Sequence, residues 1–101
     1  MVDTAILRRA VTVKTEHGLH IRPCSVIAKA AQRYACEIWI QKEQTRVDAR
    51  RVLELLTLAA GPGTGLELQA TGDDAAAALD ELGRLFETNF AEAESAPAPA
   101  A

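Results

Sequence analysis

An α+β domain, an antiparallel sheet with helices packed on one face, is what this chain predicts from three observations. Segments of alternating polarity and segments with apolar residues every three or four positions follow one another in the order β-α-β-β-α-β-α. The second and third strand segments, CEIWIQ and the one around Thr45–Val47, are joined too closely for a parallel crossover. A length of 101 residues with 49% hydrophobic and 25% charged content suits one compact domain.

Leu7 to Lys14 reads as the first strand, with Val11 and Val13 on one face and Thr12 and Lys14 on the other. Gly18 ends it with a backbone bend that few other residues adopt. Residues 21–34, IRPCSVIAKAAQRY, predict a helix. Pro23 falls in its first turn, where a missing N–H is harmless, and Ile21, Cys24, Ile27, Ala28 and Ala31 would line a buried stripe. In CEIWIQ, residues 36–41, Cys36, Ile38 and Ile40 alternate with Glu37, Trp39 and Gln41. A tight reversal then leads to the short third strand. The segment from Arg51 to Ala59 is apolar on nearly every side, and GPGTG at 61–65 is a turn. LELQA at 66–70 alternates as the fourth strand. The closing helix starts at Asp73 and Asp74, acids suited to a positive helix end, and would bury Ala75, Leu79, Leu82, Phe86 and Phe90. Residues 1–90 form the expected domain, and the Ala/Pro-rich segment 91–101 is expected to be disordered.

A net charge of −3 and a pI near 5.3 argue against a general nucleic-acid binder. No apolar run approaches the roughly 20 residues that cross a bilayer, and no signal segment is evident, so a cytoplasmic location without membrane insertion is expected. Two cysteines, Cys24 and Cys36, make no disulfide framework.

His20 and Arg22 stand at the mouth of the first helix. There the leading N–H groups lack intrahelical partners, and the aligned peptide dipoles place about half a positive charge. Pro23 has no N–H, which leaves Ile21, Arg22 and Cys24 as candidate backbone donors to an anion. Arg22 adds a guanidinium that matches phosphate oxygens. A neutral imidazole in that field has a lone pair able to attack phosphorus, and the same groups then stabilise the charged product. The pattern points to a phosphohistidine site. A solvated cap histidine beside a surface arginine is the plainer alternative, and the residues alone leave it open. His17, His20 and Cys24 are conceivable zinc ligands, yet their spacing matches no structural zinc motif; no metal and no cofactor is expected.

The run GLHIRP resembles the active-site signature of HPr, the histidine-containing phosphocarrier family of the bacterial phosphoenolpyruvate-dependent phosphotransferase system. The resemblance continues in order and spacing through CEIWI, VDARRVLELLTL, GLELQATG and the last helix, roughly residues 6–90. It implies an HPr-like open-faced β-sandwich with sheet order 1-4-2-3 and three helices on one face. It also implies a carrier rather than an enzyme. A phosphoryl group would arrive from enzyme I, rest on Nδ1 of His20, and leave for an enzyme II A domain. Arg22 would stabilise the phosphate, while Gly18 and Pro23 shape the loop and helix start. Ile21, Ser25, Val52, Leu53, Leu56 and Thr57 match the family's docking surface for these transient partners, and the chain would act as a monomer.

Departures from the family pattern carry their own expectations. Many Gram-positive members have a regulatory serine where this chain has Arg51, so control by the dedicated kinase is not expected. Cys24 replaces the usual alanine and is expected to be a small packing residue, although the helix field and Arg22 would favour its thiolate. The alternative function is a non-catalytic regulatory docking module of the same fold. Retention of His20 and Arg22 ranks that second, and nothing in these residues separates a sugar-uptake branch from a nitrogen-related one.

Overall fold

The computed structural model describes residues 5–90; residues 1–4 and the Ala/Pro-rich segment 91–101 lie outside the described residues. Within that span run β1 (Leu7–Thr12), α1 (Ile21–Ala31), β2 (Glu37–Lys42), β3 (Thr45–Asp48), α2 (Val52–Leu56), β4 (Gly65–Thr71) and α3 (Ala75–Glu87). All pairings are antiparallel, in the order β1-β4-β2-β3, and the three helices cover one face.

Register follows from the alternation of apolar residues. Val47, Ile40 and Leu68 stand side by side across β3, β2 and β4, and Ile38 stands beside Ala70. All five are buried, and that fixes the register, since a single-residue slip would turn a whole apolar row into water. Val11 and Val13 are buried as expected, as are Cys36, Ile38 and Ile40. On the opposite face Gln69 is buried and donates from its amide to Gln41 and Glu67, each at 2.8 Å.

Two residues depart from their expected places on helix stripes. Ile21 is 58% exposed rather than buried, since Leu19 fills the core just ahead of the helix. Phe90 is buried against Phe86, with ring centroids 5.2 Å apart, but not as part of α3. The helix stops at Glu87, Asn89 and Phe90 take left-handed φ values of 56° and 62°, and the Phe90 N–H donates to Leu85 O at 2.6 Å. That turn closes the helix end and swings the ring back into the core.

Helix α1 also ends three residues before the expected Tyr34. Arg33 and Tyr34 donate to Ala30 O and Ala31 O, so the last turn tightens to a three-residue step. Asp74 caps α3 without a side-chain bond to its own helix; its Oδ2 instead accepts the Ala35 N–H at 3.3 Å and ties α3 to the approach to β2. Helix α2 is shorter than the apolar segment that encodes it, and Leu55 is its one fully buried residue.

Candidate functional site

His20 is the N-cap residue of α1. Its backbone is extended (φ −95°, ψ −169°), its side chain is half-buried, and its ring makes no capping bond. The loop that presents it is held by short-range bonds. Thr15 Oγ1 and the His20 N–H both donate to Gly18 O, at 2.5 and 3.0 Å, and the Gly18 N–H donates to Thr15 O at 3.1 Å. The Leu19 N–H donates across to Ala60 O at 2.8 Å.

This last bond seats the loop on the turn that follows α2. Gly18 has φ 72°, and a Cβ there would stand 2.5 Å from Ala60 O and 2.9 Å from Gly61 Cα. Glycine is therefore required twice, by backbone conformation and by close approach. The turn is held from its other side by Lys42, whose Nζ donates to Leu58 O at 2.9 Å and Ala59 O at 3.4 Å. Sequence reasoning missed both Lys42 and Ala60. No local pattern marks them, because their role arises only when β2 and the post-α2 turn meet behind the loop.

At the helix mouth the first intrahelical bond runs from the Cys24 N–H to His20 O at 3.1 Å. Cys24 is thus corrected as a candidate backbone donor to an anion, since the fourth helical position already completes a turn. The amides of Ile21 and Arg22 precede that bond, Pro23 is buried, and Arg22 is exposed on the same first turn. His17 is exposed, its ring centroid 6.0 Å from that of His20 in an edge-on arrangement.

Cys24 lies in the core with no exposed surface, its Sγ 3.7 Å from Leu19 O. Burial pushes its thiol up from 9.0 to about 11, the reverse of what the helix field and Arg22 would do alone. It is a packing residue, as is Cys36, also raised by burial. Because the folded pKa is raised, the buried thiol's contribution to stability is complete below pH 9 and fades as pH rises toward about 11. Native protein at pH 8 is accordingly expected to resist iodoacetamide at Cys24, with rapid alkylation only after unfolding. Fast native labelling, mapped by peptide mass spectrometry, would contradict this. Cys24 turned inward also separates it from His17 and His20. Among the described residues no group of three His, Cys, Asp or Glu side chains is placed to hold a metal.

The residues matched to a docking surface fall on α1 and α2, which pack side by side. Ile21 is 58% and Leu53 77% exposed, an unusual state for large apolar side chains. Ser25 and Thr57 are exposed, whereas Val52 and Leu56 are half-buried against the core. Arg51, the N-cap of α2, lies 3.9 Å from Asp48 Oδ2 and 3.8 Å from Glu54 Oε2, so its charge is partly offset. Among the described residues no helix is long and apolar enough to cross a membrane.

Residues 7–88 match the family model described as the PTS HPr component phosphorylation site. The chain is 37% identical over 84 residues to the phosphocarrier protein HPr of Treponema pallidum (strain Nichols), covering 83% of this chain and 96% of that relative. It is 38% identical over 87 residues to the phosphocarrier protein NPr of Shewanella violacea, covering 86% and 96%. Among solved structures, HPr-C-His from Thermoanaerobacter tengcongensis gives a TM-score of 0.81 at 28% identity over 84% of this chain and 96% of that one. With sheet order, helix placement and the family match all spanning the same residues, this chain belongs to the HPr family of phosphocarrier proteins of the phosphotransferase system.

Proposed function

We propose that the chain carries one phosphoryl group at a time on Nδ1 of His20, received from enzyme I and delivered to an enzyme II A domain. The observation that supports this most directly is the half-buried His20 at the N-cap of α1, the helix whose first turn holds the Ile21 and Arg22 amides and the exposed Arg22 side chain. The His20 lone pair attacks phosphorus held on a donor histidine. One N–P bond forms as the other breaks, and the donor imidazole leaves with the bonding pair. Delivery is the same step with His20 as the leaving group, so no cofactor takes part.

The positive helix end favours the phosphoryl charge, and the exposed Arg22 adds a cation that does not seal the group from the next nucleophile. Partners would dock on the patch formed by Ile21, Ser25, Val52, Leu53, Leu56 and Thr57, with the chain acting as a cytoplasmic monomer. Arg51 offers no hydroxyl for seryl phosphorylation, and its charge favours acidic partner faces.

Incubation with cognate enzyme I, phosphoenolpyruvate and magnesium is expected to add one acid-labile, base-stable phosphoryl group. Absence of label would overturn the proposal, and partner binding without label would favour the docking-module alternative. Arg22→Glu is expected to slow transfer by about 10- to 100-fold, the worth of one charge-assisted hydrogen bond. Its melting temperature should match that of the wild type, because residue 22 is exposed. Wild-type transfer rates in that variant would remove Arg22 from the mechanism.

A further inference from the structure

A groove of about 600 Å³ runs between α1 and α3, away from the face shared by α1 and α2. Arg33 and Tyr34, just past the end of α1, both reach Glu81, and the Ala35 N–H donates to Asp74 at the start of α3. The two helices are therefore antiparallel, and Val26 and Lys29 of α1 lie toward Arg84 and Leu85 of α3. Val26, Ala30 and Leu85 give the groove an apolar floor.

Its charges are unevenly satisfied. Glu81 is engaged by Arg33 and Tyr34, and Asp80 pairs with Arg9 at 3.3 Å. Among the described residues the side chains of Lys29 and Arg84 have no hydrogen-bond or ion-pair partner. Two cations without a contacting partner among the described residues thus border apolar surface at the end of the groove nearer the start of α1, with Asp80 and Glu81, already paired, further along it.

We propose that this groove binds a small organic anion, a carboxylate or phosphate head on an apolar or aromatic body. The head sits between Lys29 and Arg84, and the body lies over Val26, Ala30 and Leu85. The volume falls within the about 300–1,000 Å³ typical of small-molecule sites, which combine an apolar lining with a few charged groups. An acidic protein segment would meet the same cations but would need a longer, flatter surface than this concavity offers. Arg22 and Lys29 are seven helical positions apart, roughly 10 Å along the axis, and so occupy similar angular positions on α1. A bound anion would place negative charge on the helix that carries the phosphoryl site and tune its attraction for acidic partners.

Phenyl phosphate, titrated to about 10 mM into the full-length ¹⁵N-labelled protein, provides the test. Saturable amide shifts are expected at Ala30, Tyr34, Ala77 and Leu85, with binding about fivefold weaker in the Lys29→Gln/Arg84→Gln double variant. Both residues are exposed, and the single variants give the same comparison if the double variant loses its fold. Inorganic phosphate should shift these amides less, for want of a body to cover the floor. The proposal is overturned by no saturable shift, by equal affinity in the variants, or by an equal response to inorganic phosphate. Shifts confined to residues 18–22 also overturn it, since they report the phosphoryl site alone.

Discussion

His20→Ala is expected to abolish phosphoryl acceptance while leaving the protein folded. The side chain makes no capping bond, and the bond that starts α1 runs from the Cys24 N–H to the backbone carbonyl of residue 20, which alanine retains. The change in stability should therefore stay within about 1 kcal/mol. No other described histidine stands at that cap. His17 lies on the preceding loop, 6.0 Å away between ring centroids, outside the first turn of amides. Acid-labile label and urea midpoint together read the result. Label persisting in the variant would move the acceptor elsewhere, with His17 the first position to map. An unfolded variant would show instead that the imidazole is structural.

Gly18→Ala is expected to cost about 2–4 kcal/mol and to slow transfer as well. The left-handed backbone accounts for about 1–2 kcal/mol of that. The remainder comes from a methyl group placed 2.5 Å from Ala60 O, a backbone atom that cannot swing aside like a side chain. Relief requires the loop and the post-α2 turn to separate, which lengthens the Leu19 N–H to Ala60 O bond and displaces His20 from the helix mouth. Against a total stability of about 5–15 kcal/mol, that loss is large. Gly61→Ala is the internal control. Its Cβ would meet nothing within 4 Å, so stability should hold. Urea unfolding of the pair settles the matter, and equal midpoints would mean the loop and turn are not tightly seated.

The site that His20 and Gly18 build is partly legible in the sequence alone. His20, Arg22 and Pro23 announce a helix mouth because capping, dipole and proline preferences act within one turn of chain. The strands were legible for a similar reason: alternation in CEIWIQ and LELQA has period 2, and Ile38, Ile40, Leu66 and Leu68 are buried as that period requires. Ile21 and Phe90 escaped the same reasoning. Periodicity states which side of a helix a residue shares, but not whether Leu19 has already filled the core or whether the chain turns after Glu87.

Cys24 shows the limit most directly. Sequence places it beside a cation and a helix dipole, both of which favour a thiolate. The fold turns it inward, and the cost of burying charge wins, raising the thiol to about 11.

Composition, periodicity and the GLHIRP signature were enough to decide the α+β class, the element order and the histidine at the helix mouth, because each depends on neighbours within a few residues. Only the folded chain decided that the His20 loop rests on Ala60, that Lys42 braces the turn beneath it, and that Lys29 faces α3 without a partner among the described residues. Those facts depend on contacts between residues distant in the chain, and local preferences carry no information about which distant backbone will arrive there.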